Sequence, residues 1–147
     1  MNVFEYSDAV TDRQMSFGRK LGLNLNGCTI GLAEAKIADC IDLDFHEKSD
    51  LRSPTPKQIE LALKFGFDIS GMTRREGSAL IDDIMHNLNQ ATIKNELLAP
   101  GVRVTNIHDK YKDIYTISSI YPDGTCYFKG GNGQRAWARS LRRVEAD

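Results

Sequence analysis

The chain has 147 residues, 41% of them hydrophobic and 27% charged, with a net charge of −1, a composition that fits a globular protein and excludes a disordered one. No apolar run approaches the roughly 18 residues of a membrane span. The opening Met1-Asn-Val-Phe-Glu-Tyr-Ser-Asp8 lacks the charged-then-apolar order of a secretory leader, so a cytoplasmic protein without membrane contact is expected.

Charge is unevenly spread. Residues 1–50 carry five Lys/Arg against nine Asp/Glu, residues 51–100 six against six, and residues 101–147 eight against five. An acidic front and a basic tail are the electrostatic clue to a partner. Cys28, Cys40 and Cys126 are odd in number with no C-x-x-C spacing, which argues against disulfides and a zinc site.

Residues 1–9 read as a loosely held lead-in. Thr11 with Gln14 is a capping-box pattern, opening a helix from about Asp12 to Leu21 that Gly22 ends. Leu23-Asn-Leu25-Asn alternates and runs extended, with both leucines inward. Gly27 turns the chain, and Thr29 or a residue soon after it caps a second helix carrying Ala35, Ile37, Ala38 and Ile41. The same order then recurs. Thr, Gln, Lys, Gly, Gly and Thr at 11, 14, 20, 22, 27 and 29 reappear 44 positions later at 55, 58, 64, 66, 71 and 73. The apolar sites stay apolar between them (Met15 with Ile59, Leu21 with Phe65, Leu25 with Ile69, Cys28 with Met72), which is the signature of an internal duplication. Thr55 caps the third helix with Pro56 at its first position, and Thr73 with Glu76 boxes the fourth. Leu80, Ile81, Ile84 and Leu88 give that helix its apolar stripe. A break is expected near Asn89-Gln-Ala-Thr92, with Thr92 restarting a turn through Leu98.

The stretch Asp44–Pro54 reads as a linker, and Ala99-Pro100-Gly101 as the point where helical periodicity gives way to alternation. Strands are expected at Gly101–Val104, Asp113–Tyr121, Thr125–Lys129 and Gln134–Ala138, with a helical turn and a last strand in Ser140–Val144. Pro122-Asp-Gly124 and Gly130-Gly-Asn-Gly133 are the hairpin turns. The expected fold is α+β. Two tandem small helical repeats (helix–extended loop–helix) occupy residues 10–43 and 54–98, followed by a small closed antiparallel β-barrel over 101–147.

The repeat unit resembles the SAP-type helix–extended loop–helix module, also similar to helical appendages of phage and plasmid DNA-processing proteins. The second copy carries the likeness through Thr55, Gln58, Lys64, Gly66, Gly71, Thr73, Glu76 and Ile81. The resemblance implies DNA binding. Residues 101–144 are similar to Tudor, KOW and Src-homology-3-like small barrels, through Gly101–Val104, Asp123-Gly124 and Leu141–Val144. Such barrels serve nucleic-acid and protein binding alike.

The chemistry concentrates in Lys129–Arg143. Lys129, Arg135, Arg139, Arg142 and Arg143 can neutralise phosphates, and Trp137, with Tyr127 near it, can stack on an unpaired base. Alternation also allows Trp137 to be barrel core ringed by solvated arginines. Arg74 and Arg75, with Lys57 and Lys64, make either an assisting basic surface or an ordinary solvated one. Gly130–Gly133 is followed by no Lys-Ser/Thr and no helix, so it is not a phosphate loop. Asp39, Asp42, Asp44, Asp82 and Asp83 lack the spacing of a metal site. His46, His86 and His108 pair with no nucleophile. No cofactor, metal or catalytic set is expected. The leading expectation is a non-catalytic, sequence-tolerant DNA-binding accessory protein of a mobile element. Its rival is a protein-binding adaptor or inhibitor using Tyr111, Tyr115, Tyr121, Tyr127 and Trp137, or the acidic first repeat.

Overall fold

In a computed structural model, which describes residues 4–46 and 51–145, a threonine hydroxyl begins each helix. Residues 47–50 of the expected linker, the first three residues and the last two lie outside the described residues. Thr11 and Gln14 form a reciprocal capping box at the head of α1 (Asp12–Lys20), and Thr55 and Gln58 do the same for α3 (Pro56–Lys64). Thr29 caps α2 (Ile30–Asp44) by accepting from the Leu32 amide at 3.2 Å. Thr73 and Glu76 exchange backbone-to-side-chain bonds of 3.1 Å at the head of α4 (Arg74–Asn95). Past α1 and α3, Gly22 and Gly66 take φ of 80° and 87°, a left-handed turn that a side chain would oppose.

The chain divides into two compact units, Met1–Ile84 and Met85–Asp147, and the division falls within α4. The fold class is α+β.

In the first unit the extended segments bury one apolar residue each, Leu25 and Ile69, at 1% and 0% exposure. Leu25, Cys28 and Ala33 form a small core against Val10, Met15, Leu32 and Ile37. The segment from Phe4 to Val10 is not loose, contrary to the sequence expectation. Val10 donates to the Cys28 carbonyl, Ile30 donates to the Asp8 carbonyl, and Ala9 bridges Thr29. Phe4 stacks on Phe67 at 5.6 Å.

Helices α2 and α4 are joined by reciprocal hydrogen bonds. The Thr29 hydroxyl donates to Asp83 Oδ2 at 2.6 Å, and the Thr73 hydroxyl donates to Asp39 Oδ2. Thr29 and Thr73 are 44 positions apart, and so are Asp39 and Asp83. Each cap therefore reaches the carboxylate at the other's corresponding place. Arg75 adds ion pairs to Asp39 and Asp42 at 2.9 and 3.0 Å, and Lys36 pairs with Glu76 at 2.8 Å.

In the second unit the strands are β1 (Arg103–Asn106), β2 (Ile114–Ile120), β3 (Thr125–Phe128), β4 (Arg135–Trp137) and β5 (Leu141–Arg143), in the order β4-β3-β2-β1-β5. All pairs are antiparallel. The expected closure into a barrel does not occur, since no ladder joins β4 to β5 among the described residues. The chain leaves β4 through a 3-10 turn, Ala138–Ser140, and returns beside β1. Strand β2 pairs with β1 through residues 114–116 and with β3 through residues 117–120, and the second ladder shifts register between Ile117 and Ser119, as at a bulge. The inner face packs Val104, Ile117, Cys126, Phe128, Ala138 and Leu141 with Leu98. Burial pushes the Cys126 thiol up to about 11, so it stays protonated and unreactive.

The expected break in α4 is absent. Thr92 does not restart a helix, because its hydroxyl bonds back to the Leu88 carbonyl at 2.9 Å within an unbroken one. The helix ends three residues later. Leu97 takes φ of 53°, its amide donates to Lys94, and the Leu98 amide donates to Ile93. This is a Schellman closure with leucine where glycine is usual.

Glu76 carries a pH signature. Burial pushes its carboxyl up, but the Lys36 ammonium and the Thr73 bonds outweigh burial and hold it below its ordinary range. A depressed carboxyl stabilises the fold above its unfolded value, near 4.3. That contribution is lost as pH falls through the folded value. Thermal unfolding from about pH 7 down to about pH 3 is expected to show an acid limb that Glu76→Gln flattens. The same substitution keeps the backbone bond and lowers stability at neutral pH by roughly 0.5–1 kcal/mol.

Candidate nucleic-acid interface

Side chains alternate across a strand, so the buried Cys126 and Phe128 put Thr125 and Tyr127 on the outer face of β3. Register then carries that face across three strands. Ser119, Tyr127 and Arg135 form one cross-strand row. Tyr121, whose amide donates to the Thr125 carbonyl, forms the next with Thr125 and Trp137. Cations lie over the rings. The Arg135 guanidinium is 5.9 Å from the Tyr127 centroid, and that of Arg139 is 5.1 Å from Trp137. Tyr121 tilts against Tyr127 at 4.8 Å.

Trp137 is 44% exposed and faces outward, so it is not part of the core. Arg139 does not continue the strand alternation. It lies in the 3-10 turn and reaches back over Trp137. Burial lowers its pKa from the usual guanidinium value, and arginine remains charged at neutral pH all the same.

One helix residue holds this face together. Asn89, 2% exposed, accepts from the Arg139 amide at 3.0 Å and extends its amide to the Asp123 carbonyl at a long 3.5 Å. The Ala138 amide donates to the Gly124 carbonyl at 2.9 Å, tying the 3-10 turn to the β2–β3 hairpin. Gly124 has φ of 90°, and a Cβ there would lie 2.6 Å from Asn89. Side chain and glycine are thus fitted to each other.

The remaining predicted residues divide. Arg142 donates to the Arg139 and Leu141 carbonyls at 3.0 and 2.7 Å, and its Nε lies 3.9 Å from Glu96. Arg143 donates to the Leu97 carbonyl at 3.0 Å, and its amide contacts Glu96 at 3.3 Å. Arg143 thus closes the chain just past the C-terminal end of α4, where a cation is favoured, while Arg142 bonds within its own turn and approaches Glu96. Lys129 is exposed at the end of β3. Arg75 is neutralised by Asp39 and Asp42, and Arg74 Nε donates to the Ser53 carbonyl at 3.0 Å. Both arginines line a groove of about 900 Å³ with Asp39, Asp42, Arg52 and Asp82.

The five aromatics of the rival reading do not share one groove. Tyr115 stacks at 4.6 Å on the buried Phe128, on the inner face, whereas Tyr121, Tyr127 and Trp137 face out. Sequence reasoning missed Asn89, taking a polar run for a helix break. The signal was present: a polar side chain at Asn89 falls one position after Leu88, on the flank of the apolar stripe.

No protein-family model, curated protein or solved structure matches the chain. No helix among the described residues is long and apolar enough to cross a membrane.

Asn89→Ala leaves the Arg139 amide without its acceptor and is expected to lower stability by about 1–3 kcal/mol. Gly124→Ala meets both the positive φ and Asn89, and is expected to lose at least about 1 kcal/mol. Urea unfolding measures both, and an Asn89→Ala protein as stable as its parent would contradict the clasp.

Proposed function

We propose that this chain is a non-catalytic, cytoplasmic DNA-binding accessory protein, of the kind a mobile element carries. In this reading it contacts DNA through the outer face of β2, β3 and β4. Arg135, Arg139 and Lys129 meet phosphates, and binding is tolerant of sequence because backbone contacts dominate it. Two SAP-like helical units precede a small Tudor- or KOW-like β-domain. The reciprocal Thr–Asp contacts at the 44-residue spacing support reading the helical units as copies of one another. The observation that carries the proposal is the pair of guanidinium groups over Tyr127 and Trp137 on one outward face.

Arg142 is taken up by its own turn and Arg143 by the end of α4 in this account, and Arg75 is neutralised at home, so the contact is smaller than the arginine count suggests. Retention of a labelled oligonucleotide is expected to fall steeply with salt. Joint substitution Arg135→Ala and Arg139→Ala should weaken it and reduce the log–log salt slope by about 0.7–0.9 per arginine. The melting temperature should hold. Absence of retention at low salt removes the proposal. If the double variant binds as the parent does, and tagged protein draws one stoichiometric protein from lysate, a protein-binding adaptor replaces it.

A further inference from the structure

Resting on that reading, we infer that the nucleic acid taken up by this face is a single strand, with Tyr121 and Trp137 as its base-stacking positions on either side of Thr125. Tyr121, one residue past β2, lies beside Thr125 of β3, which in turn lies beside Trp137 of β4. Neighbouring strands are about 4.8 Å apart, so the two ring-bearing positions stand about 9.5 Å apart, across a small threonine. A base held between two rings needs about 3.4 Å on each side, the rise of stacked bases along one strand. The spacing of the two positions therefore leaves room for one base between them.

Exposure supports the choice of ligand. Tyr121 is 52% exposed and Trp137 44%, while the residues between them on β3 that face inward, Cys126 and Phe128, are buried. The strand geometry turns these rings to solvent, where a base can cover them. A duplex has no use for them, because its bases are stacked on one another and present no free face. An unpaired base presents two.

Charge completes the fit. From Ile114 to Val144 the chain holds five cations, Lys129, Arg135, Arg139, Arg142 and Arg143, against the single carboxylate of Asp123. That carboxylate accepts the Thr125 amide at 2.9 Å within its own turn. Arg139 beside Trp137, and Arg135 beside the Tyr127 that leans on Tyr121, place a positive group at either side of the slot. A strand whose base enters the slot brings its flanking phosphates to these two groups.

Trp137 is the only tryptophan in the chain, so its fluorescence reports directly on stacking. The full chain is titrated with oligothymidylate of about 20 nucleotides, long enough for one small binding site. A duplex of the same length and an abasic strand of the same length are the comparisons. The strand is expected to quench Trp137 and to bind more tightly than either comparison. Tyr121→Ala and Trp137→Ala, followed by anisotropy of a labelled strand, should each weaken strand binding about five- to a hundred-fold. Duplex retention should fall much less than strand binding does, and Trp137→Phe should restore much of the strand affinity. Equal binding of strand, duplex and abasic strand with unquenched Trp137 overturns the single-strand inference and leaves phosphate binding standing. Failure to retain any of the three removes phosphate binding as well.

Discussion

A polar group taken out of water must find a partner inside the protein, and in each unit of this chain that constraint acts through a polar side chain on α4. In the second unit Asn89 meets the Arg139 amide and approaches the Asp123 carbonyl. Together with the bond from the Ala138 amide to the Gly124 carbonyl, it ties the 3-10 turn to the β2–β3 hairpin. Arg139 stands on the turn, Trp137 immediately precedes it, and Tyr121 leads into the hairpin. In the first unit Asp83 receives the Thr29 hydroxyl, while Thr73 at the head of the same helix reaches Asp39. Neither arrangement is mainly hydrophobic. Apolar contacts fill the cores, and the polar bonds fix which parts stand next to which.

Local chemistry was legible in the sequence where a single residue decides the backbone. Thr11, Thr55 and Thr73 with their Gln or Glu partners marked three helix starts, and Gly22 and Gly66 two helix ends, because capping and positive φ are short-range demands. The hairpin turns at Pro122–Gly124 and Gly130–Gly133 were legible for the same reason. What escaped was set by distant partners. Asn89 and Thr92 resemble helix breakers until the Arg139 amide and the Leu88 carbonyl are seen to occupy them. Closure of the sheet was inferred from strand count, which says nothing of where a 3-10 turn sends the last strand. The period of 44 residues was legible, but not the exchange it brings, in which Thr29 bonds the Asp83 of the other segment and Thr73 its Asp39.

The candidate site was legible in composition and not in geometry. The arginine-rich tail reads as one basic edge, yet the fold sorts its members by what each can reach. Arg142 finds the carbonyls of its own turn, Arg143 that of Leu97 just past α4, and both approach Glu96. Arg135 and Arg139 lie over aromatic faces. A helix end holds its cations in place with fixed dipoles, whereas a guanidinium on an exposed ring is held loosely and can still pair with a phosphate. Tyr121 matters for a comparable reason: its ring shares a row with Trp137 only because β2, β3 and β4 pair in this register.

The most direct measurement is photochemical cross-linking of the full chain to a bound oligonucleotide, with the adducts located by mass spectrometry of the digested protein. The account predicts adducts on the peptides holding Tyr121, Tyr127 and Trp137, fading as salt rises. Adducts confined to residues 4–84, with that outer face unmodified, would contradict it.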